Sequence, residues 1–92
     1  MYLHLGQDTV VDTQNIIGIY DMDTSTVSKW SREYLNRAEK EGRVVNVSFY
    51  DLPKSFIICS ESEGKIKKER VYISPLSSQT LLKRSQSSQF IK

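Results

Sequence analysis

The chain contains very little cysteine, and no part of it is continuously apolar. Its 92 residues include a single cysteine, Cys59, which excludes an internal disulfide and provides no zinc cluster. No apolar run approaches the roughly 18 to 20 residues that span a bilayer. The first residues, Met1–His4, lack a basic stretch followed by an apolar one, so no signal peptide is expected. These absences predict a protein of the reducing cytoplasm with no membrane partner.

Lysine and arginine are absent from the first part of the chain. Residues 1–27 contain four acids and no Lys or Arg, giving −4, whereas residues 28–92 contain all 13 Lys and Arg and seven Asp and Glu, giving +6. The formal net charge of +2 therefore hides a polarised distribution. A protein of this kind can present a basic surface to a polyanion.

One amphipathic helix is predicted in the middle of the chain, over about residues 28–41. Apolar side chains recur there on one face at helical spacing. These side chains are Trp30, Tyr34, Leu35 and Ala38. Ser28 or Ser31 can accept hydrogen bonds from the first free amides. Gly42 follows where a left-handed residue ends a helix favourably.

Short apolar or alternating runs predict β-strands on both sides of this helix. The runs are residues 2–5, 9–11, 16–20, 44–50, 56–59 and 71–73. Leu3 and Leu5 share one face of the first strand, and alternation directs Phe49 to the core. Gly18 inside the third strand indicates a bulge or a close backbone contact.

The connections between the later strands carry turn signals. Residues 51–54, with a proline at their centre, break the fourth strand, and the fifth is expected to pair with it in antiparallel fashion. Residues 60–64 predict the tip of a hairpin. A short second helix is expected over about 75–84, with Ser74 as its cap and Pro75 at its first position.

The predicted fold is α+β. It is a small single domain over residues 1–84, in which antiparallel β-strands accompany one central amphipathic helix and a short C-terminal helix. Residues 85–92 are rich in Ser and Gln and are expected to form a disordered tail.

Catalytic machinery is not evident from the sequence. His4 and Cys59 could form a nucleophilic pair only if the fold brought them together, and a cysteine at the end of an apolar strand is more often a small buried side chain. Asp21 and Asp23 have the spacing of the aspartate motif of haloacid-dehalogenase-type phosphatases, but the chain is too short for that fold. The alternative is that these acids charge the approach to a helix N-terminus. We predict no enzyme activity and no cofactor.

A basic segment at residues 65–70 is the best local candidate for phosphate contacts. It contains four basic residues and one acid, and short basic runs neutralise phosphates without reading sequence. A solvated hairpin explains the same segment equally well. Trp30 and the tyrosines could stack on bases, although their spacing favours positions in the core.

Several longer segments resemble a known family when they are taken in order. They are YLHLGQ, NIIGIYD, REYLNRAEKEGRVVNVS, LPKSFIIC, VYISP and SSQTLLKR. Together they are similar to the Rem family of extracellular-matrix regulators of Firmicutes, and the resemblance covers nearly all of residues 1–84.

This resemblance implies a cytoplasmic transcriptional regulator of biofilm matrix genes. A better-known branch of the family binds DNA, has a core similar to the LytTR-type DNA-binding domain, and assembles into homo-oligomeric rings. That branch has an arginine-rich loop between the two strands after the central helix. Here the corresponding residues 51–54 contain one basic residue and one acid.

We therefore expect a non-enzymatic homo-oligomer that binds double-stranded DNA mainly through phosphates. The expected DNA-binding residues are Lys54, Lys65, Lys67, Lys68 and Arg70, with Arg32 and Arg37 behind them. The alternative is a scaffold subunit that assembles with a paralogous regulator and has little DNA affinity of its own.

Overall fold

The computed structural model describes residues 1–22 and 29–90, apart from the side chains of Glu63 and of residues 86–90. These residues form six strands, two α-helices and one turn of 3₁₀ helix (Thr13–Asn15). In chain order the strands and α-helices are β1 (Tyr2–Gly6), β2 (Thr9–Asp12), β3 (Ile16–Asp21), α1 (Lys29–Lys40), β4 (Val44–Asn46), β5 (Ser55–Glu63), β6 (Ile66–Ser74) and α2 (Ser78–Phe90). The α+β class is confirmed.

The strands form a separate hairpin and a four-stranded sheet. Strands β1 and β2 pair with each other in antiparallel fashion. The sheet has the order β3-β5-β6-β4, with antiparallel pairs except for β4, which runs parallel to β6. The prediction that β4 pairs with β5 is therefore wrong. Residues 47–54 between them are longer than the two to about five residues usual in a hairpin, so the chain can place β6 between the two strands.

The sheet has a separate apolar core on each face. On one face α1 packs through Ala38 on Phe56, Ile58 and Val71. On the other face the β1–β2 hairpin and α2 cover the sheet. The buried residues of this second core are Leu3, Leu5, Val11, Val47, Ile57, Cys59, Tyr72 and Leu81. The molecule therefore has three layers, and the predicted inward direction of Leu3 and Leu5 is confirmed.

The C-terminus of α1 is set by a glycine, as predicted. Gly42 has φ +71°. Its N–H donates to the carbonyl of Glu39 at 3.1 Å, and the N–H of Arg43 donates to the carbonyl of Ala38 at 2.9 Å. These two bonds form a Schellman motif, which satisfies carbonyls that the helix leaves open.

The N-terminal turn of α1 differs from the prediction. Trp30 is 57% exposed, although helical spacing placed it on the buried face. Its indole stacks on Tyr34, with the ring centroids 5.5 Å apart. The indole stays exposed because the residues of α1 that pack on the sheet belong to the later turns of the helix. Ser31 lies inside the helix and is not its cap, and Ser28 lies outside the described residues.

The second helix begins later than predicted and is longer. Ser77 rather than Ser74 is its cap, since the Ser77 Oγ accepts from the N–H of Thr80 at 3.1 Å. The hydroxyl of Ser74 is engaged elsewhere, donating to the carbonyl of Leu5 at 2.6 Å. The helix continues to Phe90, into the stretch predicted to be a disordered tail.

The strand boundaries near the turns also differ. Residues 60–63 belong to β5, and the hairpin turns at Gly64 and Lys65. Strand β4 ends at Asn46, so Phe49 lies in the following loop and is 85% exposed instead of buried. Gly18 does mark a bulge, because the β3–β5 register shifts beside it and a Cβ there would meet the Tyr20 ring.

Candidate nucleic-acid interface

Strand alternation divides the predicted basic segment between the two faces of the sheet. Lys67 precedes Glu69 and Val71 on the face covered by α1, whereas Lys68 and Arg70 lie opposite Glu61 and Cys59 on the other face. Lys65 is in the turn. The segment 65–70 is therefore not one continuous basic patch.

The predicted residues that the structure does bring together lie between α1 and β6. An open cleft of about 570 Å³ has Arg37 of α1 on one side and Lys67 and Glu69 of β6 on the other. Lys68 also borders the cleft, but alternation directs its side chain toward the other face of the sheet. Of the ion pairs between described residues, none includes Arg37 or Lys67, so these two charges are available to an anion. We call this region the basic cleft.

Arg43 forms the base of the basic cleft and was not among the predicted residues. Its guanidinium donates to Glu41 Oε1 at 2.6 and 2.9 Å and to the carbonyl of Glu69 at 3.1 Å. It also lies over the Tyr34 ring, 5.6 Å from the centroid. The hydrogen bond to Tyr34, reinforced by Glu41, raises the pKa of Arg43 above its ordinary value. Because its charge is neutralised by Glu41, Arg43 holds α1 against β6 rather than offering a free cation. The only sequence signal for it is an arginine directly after the helix-ending glycine.

The remaining predicted residues lie away from the cleft. Arg70 Nε is 3.5 Å from Glu61 Oε2, and the Tyr72 hydroxyl donates to the other oxygen of that carboxylate at 2.7 Å. Lys54 is exposed at the opposite end of β5 from the hairpin turn, about 30 Å away at strand spacing. Arg32 is exposed on α1 and does not line the cleft.

A second surface feature is the loop between β4 and β5, which we call the aromatic loop (Ser48–Pro53). Phe49, Tyr50 and Leu52 are 85%, 96% and 83% exposed. The Ser48 hydroxyl accepts from the N–H groups of Tyr50 and Asp51 at 3.3 Å and donates to the Asp51 carboxylate at 3.0 Å. These bonds fix the loop in a shape that presents three apolar side chains to solvent.

The candidate catalytic groups do not form a site in the part of the chain described. Cys59 is buried, and desolvation raises the pKa of its thiol to about 11, so it stays neutral. His4 is exposed and its ring bonds to the carbonyl of Gln7. Asp21 accepts a 2.6 Å hydrogen bond from Ser78, and Asp23 lies outside the described residues.

Two further absences concern the described residues only. Among them, no three His, Cys, Asp or Glu side chains are grouped as a metal site would require. Neither α1 nor α2 is long and apolar enough to cross a bilayer.

The fold and the site together define a small α+β domain with an open cleft between α1 and β6 that is lined by Arg37, Lys67 and the Tyr34 ring. The chain belongs to the RemA-like family, described as extracellular matrix regulatory protein A-like, whose sequence profile matches residues 2–84. Extracellular matrix regulatory protein B of Bacillus subtilis (strain 168) is 38% identical to it over 86 residues, which cover 94% of this chain and 91% of that protein. The predicted family resemblance is confirmed.

Proposed function

We propose that this chain is a non-enzymatic, DNA-binding transcriptional regulator of extracellular matrix genes, which acts in the cytoplasm as a homo-oligomer. The regulatory role is supported by membership of the RemA-like family and by the similarity to extracellular matrix regulatory protein B. The observation that carries DNA binding is the basic cleft, where Arg37 and Lys67 have no described acidic partner.

The chemistry of the basic cleft suits the sugar-phosphate backbone of duplex DNA. Arg37 can donate two parallel hydrogen bonds to one phosphate, while Lys67 acts as a point charge. Two such cations neutralise phosphates without reading bases, so one subunit binds weakly and with little sequence preference. Useful affinity then requires several clefts acting on one DNA molecule.

The aromatic loop supports assembly of several copies. Three adjacent apolar side chains that are each more than four-fifths exposed are unusual on a monomer and are typical of interaction sites. The sheet also ends in β3 and β4, whose outer edges have no partner strand among the described residues. We assign the loop to contact with a second copy.

The aromatic loop of one copy can contact a different surface of the next. A contact between two different surfaces repeats, and it closes into a ring when the rotation allows.

The first experiment measures duplex DNA binding by fluorescence anisotropy at two salt concentrations, with the mass of the protein determined by light scattering in the same buffers. We expect a large oligomer that binds DNA tightly at low salt and much more weakly at high salt, because bound phosphates release counterions. Absence of binding at low salt by an intact oligomer would exclude direct DNA binding.

Matched lysine variants locate the DNA contact within the subunit. Lys67→Gln removes a charge from the basic cleft, whereas Lys54→Gln removes one at the far end of β5. Log affinity falls as log salt rises, and each lost phosphate contact makes this slope less steep by about 0.9 per participating subunit. We expect that change for Lys67→Gln and a smaller change for Lys54→Gln. A larger change for Lys54→Gln would place the DNA interface at the other end of the sheet.

A second candidate function is that of a scaffold subunit which assembles with a paralogous regulator. The aromatic loop favours it, because the position where the resemblance implies arginines carries exposed apolar side chains instead. An apolar interface is insensitive to salt, whereas phosphate binding weakens as the salt concentration rises. Salt-insensitive association with the paralogue, without DNA binding by this chain alone, would favour the scaffold.

A further inference from the structure

The exposed indole of Trp30 stacks on the Tyr34 ring, which also contacts Arg43. Its ring is nearly parallel to that of Tyr34, with 13° between the planes and 5.5 Å between the centroids. The guanidinium of Arg43 lies over the same tyrosine ring at 5.6 Å. Tyr34 thus has two planar neighbours, and the aromatic surface that remains open to solvent is that of Trp30.

This stack is connected to the basic cleft by Arg37. Arg37 lines the cleft together with Lys67, and it also lines a small adjoining pocket with Trp30, Glu33 and Tyr34. Trp30 and Arg37 are seven residues apart in α1, which is about 10 Å along the helix axis. A base on the indole and a phosphate on the guanidinium are therefore within reach of one short, extended strand.

The acids near the stack do not cancel this arrangement. Glu33 lies 4.0 Å from Lys29, one turn earlier, and Glu41 is bonded to Arg43. Glu69 lines the cleft from β6 and contacts Arg43 through its backbone carbonyl, so its carboxylate is a further charge of the cleft. With Arg43 neutralised by Glu41, the cleft has two unpaired cations, Arg37 and Lys67, and one unpaired carboxylate, which leaves it net positive among the described residues.

We propose that Trp30 and the basic cleft form a site for an unpaired nucleobase that carries phosphate, with the base stacked on the indole and the phosphate held by Arg37 and Lys67. Aromatic stacking with a neighbouring cation is the mode by which proteins hold single strands, since every base offers a π face. In a duplex those faces are stacked on other bases and are not accessible without unpairing. This inference rests on the proposed function for the phosphate contacts. It goes beyond that function because the ligand is an unpaired base and not duplex DNA.

Trp30 is the sole tryptophan of the chain, so its fluorescence reports on this site alone. The experiment titrates the full-length protein with an oligothymidylate, with a duplex of equal length, and with thymidine triphosphate. We expect saturable quenching by the oligothymidylate and nearly none by the duplex. Equal quenching by the triphosphate identifies a free nucleotide as the source of the ligand, and quenching by the strand alone identifies a nucleic acid.

Variants separate stacking from charge. Trp30→Leu is expected to weaken binding of a labelled oligothymidylate about five- to 150-fold, the range for loss of one base stack. Trp30→Phe, which keeps a ring, should retain most of the affinity. Tyr2→Leu removes an aromatic side chain of similar exposure from β1 and should have no effect. Circular dichroism verifies that each variant is folded.

The two proposals fail in different ways. If duplex DNA binds but the oligothymidylate causes no quenching, or if Trp30→Leu binds the single strand as tightly as the unaltered protein, this inference is overturned and duplex binding stands. If the unaltered protein binds neither ligand at low salt, both proposals are overturned.

Discussion

The buried hydroxyl of Ser74 joins β6 of the sheet to β1 of the hairpin that covers it, and its removal tests how much this contact contributes to the free energy of unfolding. Ser74 is fully buried, at the end of β6. Its Oγ donates to the carbonyl of Leu5 in β1 at 2.6 Å and accepts from the N–H of Leu76 at 3.0 Å. The substitution Ser74→Ala removes the hydroxyl that bonds to both backbone groups while changing the volume very little.

The expected loss follows from the burial of the two groups. A buried backbone group without a partner costs about 1 to 3 kcal/mol. Leu5 is fully buried and Leu76 is only half-buried, so the Leu5 carbonyl accounts for most of the loss. We expect Ser74→Ala to lower the free energy of unfolding by about 2 to 3 kcal/mol, a large part of the roughly 5 to 14 kcal/mol typical of a domain this size.

Urea denaturation followed by far-UV circular dichroism measures this loss. With a slope of about 1 to 2 kcal/mol per M for a small domain, the midpoint should fall by about 1 to 3 M. Ser48→Ala is the matched control. The Ser48 hydroxyl also bonds to a backbone and a side-chain group, but it lies in the exposed aromatic loop. A loss under about 0.5 kcal/mol for Ser74→Ala, the range of ordinary surface changes, would refute the reasoning.

Three further predictions concern stability. Desolvation raises the pKa of Cys59 to about 11 and, together with the bond to Glu61, that of Tyr72 to about 12, above their ordinary values of 9.0 and 10.0. Because the unfolded chain releases these protons first, the free energy of unfolding should be unaffected below about pH 9 and should fall as the pH rises from about 9 to 12. Urea midpoints across that range test it, and a flat profile would contradict it. Gly42→Ala should lower stability by about 1 kcal/mol through the positive φ alone, because an added Cβ meets no atom within 4 Å, and a thermal melt unchanged within error would contradict it. Leu81→Ala should cost about 2 to 5 kcal/mol by urea unfolding, since Leu81 is fully buried between α2 and the sheet, and a loss under 1 kcal/mol would show that α2 packs loosely.

The parts of the fold that the sequence predicted correctly depend on neighbours in the chain. The inward direction of Leu3 and Leu5 follows from alternation over a few residues. The end of α1 follows from a glycine at the position where its left-handed conformation is needed, and the bulge at Gly18 follows from a glycine within a strand. Each is decided by local backbone geometry, which the residue type controls directly.

The parts that were wrong depend on which elements meet. The parallel pairing of β4 with β6 is set by the packing of α1, not by any signal in residues 44–46. Helical spacing predicted a buried Trp30, but it cannot show how far the helix extends past the sheet. The basic segment 65–70 looked continuous because sequence order does not reveal that alternate side chains of a strand face opposite ways. Arg43 was missed because its role depends on Tyr34 and Glu69, which are distant in sequence from each other.

The separation of the basic cleft from the aromatic loop has a consequence for how the proposed regulator would work. The loop follows β4 at one end of the sheet, whereas Lys67 lies near the hairpin turn at the other end, roughly 25 to 30 Å away at strand spacing. Removing apolar side chains from the loop should therefore leave the charge of each cleft unchanged. The substitution should still reduce DNA affinity if assembly supplies the multivalency, because one cleft with two free cations binds weakly. A loop variant that becomes monomeric yet binds DNA as tightly as the unaltered protein would mean that one subunit suffices, and the exposed aromatic side chains would then need another partner.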